Sequence, residues 1–298
     1  MASDPNGPVA PRASALPDSA PARASGPAWH DNAAPPPVLP RISLLGWLRA
    51  GLRGTGVVIW LALGVLALLL LRLPERALHG ARRPWTGPLV QGVCRGCLAI
   101  LGIRWRRVGR PMQGPGAAVA NHSSWLDILV LNAALPVFFV SKAEVAGWPG
   151  INILTRVTDT HFVVRDPRLA QSQAAEFAAR TRAGHRLLFF PEGTSTDGRR
   201  VLPFKPTLFQ AFLAPDLPAG LALQPVSAAY RAPPRRDARF YGWWGAMALG
   251  PHLLAVLAQA PQGSVTVTLH PPITVAGSNR KALAAQCEAA VRSGLPWA

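Results

Sequence analysis

Cysteine, lysine and acidic side chains are all scarce in this 298-residue chain, and each scarcity excludes something. Three cysteines, Cys94, Cys97 and Cys287, provide no disulfide framework, which points to an intracellular setting for the folded part. Cys94 and Cys97 form a lone C-x-x-C, but a zinc site needs a second pair or nearby histidines. His161, His185 and His270 are too scattered to supply one, so no metal is expected. Only 14 acidic residues oppose 31 basic ones, for a net charge of +17, and all the basic residues except Lys142, Lys205 and Lys281 are arginine. That balance suits an anionic surface, either phospholipid headgroups or nucleic acid. The charge is dispersed, and the chain has no helix-turn-helix, RNA-binding-strand or zinc-finger pattern. No nucleic-acid partner is therefore expected.

Apolar residues make up 49% of the chain and charged residues 15%, a greasy balance for a soluble protein. Residues 1–40 are rich in Ala and Pro and lack apolar periodicity, so they read as a disordered tail. With no early apolar core, this tail does not read as a signal peptide. Residues 41–76 read as a membrane anchor. Within them, Thr55–Leu71 (TGVVIWLALGVLALLLL) is uncharged and sits at the short end for crossing a bilayer. It suits a transmembrane helix or a hairpin held in one leaflet; the bland alternative is a buried core helix. Arginines after the run slightly outnumber those before it, which favours a cytoplasmic location for the C-terminal domain.

From residue 88 to 295 short apolar runs alternate with helical patterns. Residues 117–120, 137–140, 161–164, 186–190, 221–226 and 265–269 read as strands. SWLDILVLNAAL (124–135), the run from Pro167 to Ala183 and RKALAAQCEAAVRS (280–293) read as helices. The expectation is an α/β domain with a mixed, largely buried sheet flanked by helices, following the N-terminal membrane-anchoring helix.

Two constellations carry chemistry. In VANHSSWLDIL the strand ends at Asn121, His122 falls on the turn, and Asp127 falls early in the next helix. Asp127 can then hold one ring nitrogen of His122 and leave the other as a base, with Asn121 bracing the loop. No serine, cysteine or threonine nucleophile motif is nearby, so the pair suits direct attack by a substrate hydroxyl. From this stretch alone, a structural histidine with a solvated Asp127 is an equal alternative. In LLFFPEGT, Glu192 ends an apolar strand, where a carboxylate needs a partner or a use. Gly193 permits close backbone approach, and Thr194 offers a hydroxyl.

N-H-x-x-x-x-D followed by F-P-E-G-T is far more specific than either motif alone. Residues 88–295 resemble the glycerolipid acyltransferase family of 1-acylglycerol-3-phosphate acyltransferases. That family places a histidine–aspartate motif, an arginine-bearing strand, E-G-T and a proline-bearing strand in this order. Their counterparts are His122 with Asp127, FVVR ending at Arg165, PEGT at 191–194, and LQPVS with Pro225. The resemblance implies a membrane-bound enzyme that moves a fatty acyl group from acyl-CoA or acyl carrier protein to a lysolipid hydroxyl. It implies His122 as base and Asp127 as its orienting partner. Arg165, Glu192, Gly193, Thr194 and Lys205 would bind substrate, with Asn121 and Pro225 in support. The co-substrate aside, no cofactor is implied. The partners are lysolipid, acyl donor and membrane lipid, at the inner (cytoplasmic) membrane with the catalytic domain on its cytoplasmic side.

Many members carry arginine directly after E-G-T, where it meets the acceptor phosphate; this chain has Ser195. VANHSSWLDI, SKAEVAGWPGIN and FYGWWGAMALGPHLL instead resemble the bacterial branch that acylates lyso-ornithine lipid, an acceptor without phosphate. Both acceptors stand at this point. EVAGWPGINIL (144–154) and residues 240–258 add aromatic, weakly charged surface suited to a headgroup boundary, or else core helices packed on the sheet. The rival classes are a histidine-dependent hydrolase or transacylase on the same scaffold, a basic nucleic-acid-binding protein, and a non-catalytic membrane scaffold.

Overall fold

The computed structural model describes residues 35–142, 161–163, 170–214 and 217–297. Arg165, the expected helix start at Pro167 and the segment 144–154 lie outside these residues. The sheet is built from β1 (Arg104–Val108), β2 (Gly116–Ala120), β3 (Phe138–Lys142), β4 (His161–Val163), β5 (Leu187–Phe189), β6 (Ala222–Arg231), β7 (Ser264–Leu269) and β8 (Ile273–Thr274). Their order is β1-β7-β6-β2-β5-β3-β4, with β8 paired to β6. β2 is central and runs parallel to both β5 and β6, whereas β7 runs antiparallel to β6. The sheet is therefore mixed, as expected.

The central strand is made of small residues because helices cover it on both sides. Along β2, Ala118 and Ala120 enter one core while Ala117 and Val119 enter the other, and all four are fully buried. This is the two-residue alternation of a pleated strand applied to a sheet without a wet face. The first core is completed by α2 (Thr86–Leu101), α3 (Asp127–Ala134) and α5 (Leu249–Ala258), through Leu98, Leu131 and Val256. The second gathers Phe189, Phe209 and Phe212 against Leu283, Cys287 and Val291 of α6 (Arg280–Ser293). Between these, α4 spans Ala170–Arg182. α6 matches its expected bounds, and its first turn is capped by Asn279 Oδ1, which accepts the N–H groups of Lys281 and Ala282 at 3.0 Å each.

Two elements run against expectation. α2 was not apparent because its TGPLVQGVCRGCLAIL holds three glycines and no clean stripe. β1 was not apparent because RWRRV carries three arginines; it lies at the sheet edge, where charge is tolerated and discourages strand pairing. Of residues 240–258, read either as headgroup-facing surface or as a core helix, only Leu249–Ala258 is helical; residues 240–248 form turns and open stretches.

The N-terminal helix α1 (Leu44–His79) has 36 residues, about 54 Å at 1.5 Å per residue. α2 returns alongside it. The pair interlocks through missing side chains: a Cβ on Gly96 would overlap the Trp60 indole, and one on Gly64 would stand 2.6 Å from Val93. The Trp60 indole N–H donates to the Val93 carbonyl at 2.9 Å. Near the tip, the buried Glu75 carboxylate accepts the N–H groups of Trp85 and Thr86 and the Thr86 hydroxyl, so it caps α2.

α1 meets the α/β domain at both ends. Arg49 donates to the Ala258 carbonyl at 2.6 Å, and Arg53 donates to Leu257 and Gln259 at 3.1 and 2.7 Å. These guanidiniums satisfy the open carbonyls at the C-terminus of α5. Just past the far end of α1, the Ala81 carbonyl accepts a hydrogen bond from His185 Nε2 at 2.9 Å. The outer face of α1 stays bare, with Leu52, Leu70 and Leu73 each about 70% exposed. A continuous apolar strip of this size is not stable in water and fits contact with lipid.

Candidate active site

β2 delivers the site. Where the strand ends, Asn121 extends the ladder by one rung with its side chain: its Oδ1 accepts the Ala228 N–H at 2.8 Å and its Nδ2 donates to the Ala228 carbonyl at 3.1 Å. The chain then wraps around a carboxylate. Asp127, the first residue of α3 and fully buried, accepts the N–H groups of Ser123 and Ser124 on Oδ2 at 2.7 and 3.0 Å. His122 Nδ1 lies 2.7 Å from the same oxygen, and the Tyr230 hydroxyl donates to Oδ1 at 2.6 Å.

This set of donors fixes the imidazole tautomer. A carboxylate only accepts, so Nδ1 carries the proton and Nε2 keeps its lone pair. The Phe190 ring stacks on the imidazole at 4.1 Å with 15° between planes and sets its tilt. The His122 side chain remains 24% exposed while its partner is sealed. Burial, then the neighbouring Asp127 charge, holds the Tyr230 phenol well above its ordinary value, so it remains a donor.

The second motif grips the backbone of the first. Glu192, 1% exposed, accepts the His122 N–H on Oε1 and the Leu202 N–H on Oε2, both at 2.7 Å. The Thr196 N–H donates to the His122 carbonyl at 3.0 Å. The peptide groups of the His122 turn are thus held on both sides by residues 192–196, which gives a physical reason for the two motifs to occur together. Burial pushes the Glu192 carboxyl up to about 8; the Leu202 and His122 amides oppose the shift, and the Asp127 charge adds to it.

The other expected residues divide. Gly193 has φ +75, and a Cβ there would stand 2.6 Å from Lys205 Nζ, so the missing side chain is what lets the ammonium lie against the loop. Thr194 is half-buried beside it. Lys205, Gly193 and Thr194 therefore cluster next to the His122 turn. Pro225 does not reach the mouth: it is buried in β6 opposite Val119, and its carbonyl accepts the His270 N–H at 3.0 Å. Cys94 and Cys97 are buried residues of α2.

Several contributors left little trace in the sequence. Tyr230 and Phe190 sit in apolar runs. Trp125 Nε1 donates to His252 Nδ1 at 2.9 Å, and His252 Nε2 donates to the Phe240 carbonyl at 3.0 Å, which pins the start of α3 to the 240s loop. Burial keeps His252 below its ordinary value, in keeping with a neutral ring that accepts and donates once each. The Trp243 N–H donates to the Ser123 carbonyl at 2.9 Å and closes the same face.

The Acyltransferase family model matches residues 106–228. A lyso-ornithine lipid O-acyltransferase of Rhodobacter capsulatus is 52% identical over 270 residues, covering 90% of this chain and 97% of the relative. One from Brucella abortus is 39% identical over 207 residues, covering 65% and 76%. Among solved structures, the 1-acyl-sn-glycerophosphate (LPA) acyltransferase PlsC of Thermotoga maritima shares the fold with a TM-score of 0.57 and 21% identity, over 84% of this chain and 93% of that one. A paired histidine and aspartate at the end of a central strand, together with a relative matched along almost its whole length, place this chain in the acyltransferase family, among the enzymes that acylate lysolipids.

Proposed function

We propose that this protein is a lyso-ornithine lipid O-acyltransferase that takes its acyl group from a thioester of coenzyme A or acyl carrier protein. The observation carrying the acceptor assignment is the 52% identity to a lyso-ornithine enzyme across 97% of that enzyme. Ser195, standing where a phosphate-binding arginine follows E-G-T in the phosphate branch, agrees with it.

The geometry of His122 supports the following reaction. Its Nε2 removes the proton from the acceptor hydroxyl as the oxygen attacks the thioester carbonyl carbon. Asp127 holds the ring by Nδ1 and stabilises the imidazolium that forms. The tetrahedral intermediate collapses, the C–S bond breaks, and the thiolate leaves with the proton returned from Nε2. The His122 and Gly193 N–H groups already donate to Glu192 and to the Phe190 carbonyl, so neither is open to the oxyanion. The Lys205 ammonium beside Gly193 supplies positive charge next to the catalytic turn. Glu192 acts through the His122 backbone, and Arg165 is assigned to the acceptor by resemblance alone.

The bare face of α1 gives the protein its membrane association. Because both ends of α1 rest on one domain, we place the helix within a single leaflet, at the cytoplasmic face of the inner membrane. The deciding experiment supplies labelled acyl thioester with lyso-ornithine lipid or 1-acylglycerol-3-phosphate in turn. Transfer to the first at least tenfold faster is expected; preference for the second would reassign the acceptor. Thioester loss without any lysolipid would favour a hydrolase. His122→Ala should abolish transfer in a folded, membrane-bound protein, and retained turnover would refute the mechanism.

A further inference from the structure

An open cavity of about 650 Å³ lies beside the catalytic turn, lined by Asp197, Arg199, Arg200, Asp237, Arg239 and the segment 35–38. Both loops that wall it are bonded to the turn. Residue 197 follows Thr196, whose N–H holds the His122 carbonyl, and residues 237–239 lead to Trp243, whose N–H holds the Ser123 carbonyl. The cavity is lined by both signs of charge. Three guanidiniums and two carboxylates leave one net positive charge.

Its charges are not equally placed. Asp197 is buried, 3.1 Å from the Arg200 guanidinium in an ion pair that lacks hydrogen-bond geometry. Arg199 stacks 4.2 Å over the Trp297 ring. Arg239 folds back on Asp237 at 2.9 Å and donates to the Pro35 carbonyl at 3.0 Å. Arg200 and Asp237 are the side chains with the most reach, 43% and 38% exposed.

We propose that this cavity binds the zwitterionic amino-acid headgroup of the acceptor, with Arg200 meeting its carboxylate and Asp237 its ammonium. The proposal rests on the lyso-ornithine reading. Ornithine has one carboxyl and two amino groups, so an N-acylated ornithine keeps one carboxylate and one ammonium. A guanidinium offers five donors, so Arg200 can serve Asp197 and a ligand carboxylate together.

The test uses the full chain in detergent micelles with labelled acyl thioester. Its acceptors are lyso-ornithine lipid, the same lipid with its free amine acetylated, its carboxyl methyl ester, and 1-acylglycerol-3-phosphate. Asp237→Asn retains an oxygen for the Arg239 N–H, which now meets Asp237 Oδ1 at 2.8 Å. Wild type should lose about tenfold in kcat/KM on either modified acceptor, the scale of one charge-assisted contact. Asp237→Asn should lose about as much on the native lipid but nothing further on the acetylated one. Arg200→Gln should behave likewise toward the methyl ester. If either variant matches wild type on the native lipid, or loses the same factor on every acceptor, the headgroup site is refuted while the acceptor stands. If wild type acylates only 1-acylglycerol-3-phosphate, the acceptor reading itself fails and the proposal goes with it.

Discussion

Tyr230→Phe removes one oxygen and little else, so its consequences can be worked through. The ring stays in the core, packed 5.7 Å from Tyr241, and only the 2.6 Å bond to Asp127 Oδ1 is lost. A hydrogen bond to a charged group contributes about 1.5–3 kcal/mol, and a buried oxygen left without its donor keeps most of that cost. The variant should therefore be less stable by about 1.5–3 kcal/mol. Catalysis should suffer less. His122 Nδ1 is held through the other oxygen, Oδ2, which the Ser123 and Ser124 amides fix independently. A kcat loss of about tenfold, near 1.4 kcal/mol, is expected from the looser carboxylate. Asp127→Asn is the comparison. It preserves shape but removes the charge that stabilises the imidazolium, and in Ser-His-Asp enzymes the equivalent change costs about 10⁴-fold. Thermal unfolding in detergent and turnover of labelled thioester on lyso-ornithine lipid measure both quantities. If Tyr230→Phe matches wild type in both, the hydroxyl does not hold Asp127. If it is as inactive as Asp127→Asn, Tyr230 takes part in the chemistry and the assignment to positioning is wrong.

Gly193→Ala places a Cβ 2.6 Å from Lys205 Nζ at a φ of +75, so about 1–2 kcal/mol of stability should be lost and the acceptor KM should rise; an unchanged KM would show that Lys205 does not serve the acceptor. Glu192→Gln leaves one oxygen for two amide donors and should cost about 1–3 kcal/mol at neutral pH. With the Glu192 carboxyl raised from 4.5 to about 8, the native state holds a proton that the unfolded chain has released. Its stabilising contribution is complete below pH 4.5 and is lost as pH rises through 8. Melting curves across that range should decline in wild type by a component that Glu192→Gln lacks, and identical slopes would sink the assignment. For membrane topology, cysteines introduced as Ser43→Cys and Arg82→Cys should both react with an impermeant maleimide from the same side of sealed vesicles, the native cysteines being buried. Labelling from opposite sides would show that α1 crosses.

The sequence exposed those parts of the molecule whose function depends on residue type. The His122–Asp127 pair is local, and its two side chains are the contact. α6 was legible because RKALAAQCEAAVRS is an uninterrupted helical run that stops before Gly294. The grip of Glu192 on the catalytic turn was invisible for a physical reason: its partners are backbone amides of His122 and Leu202, and any non-proline residue supplies one. Tyr230 carries no local signature, since it meets Asp127 across 103 positions from within an apolar strand. The same holds for Arg49 and Arg53. As charges flanking an apolar run they suggested topology, whereas their work is to cap the carbonyls of α5.

That capping also ties the membrane helix to the active-site edge of the sheet. β7 begins at Ser264, level with Arg231 at the end of β6, and β6 runs parallel to β2. The segment leading into β7, to which Arg49 and Arg53 bind, therefore lies at the edge where β2 releases His122. His185, which leads into β5, lies at the opposite edge, and there it receives the far end of the hairpin. So α1 runs from edge to edge along the flank, with its start at the reaction end. An apolar cavity of about 440 Å³ between that start and α5 is lined by Leu39, Ile42, Trp47 and Leu254, and the preceding residues 35–38 wall the charged cavity. A lysolipid entering here would meet an apolar surface for its chain, the His122 base for its hydroxyl and mixed charge for its headgroup. These lie along one edge of the sheet, the order in which a lipid lying at a membrane surface presents the same three parts.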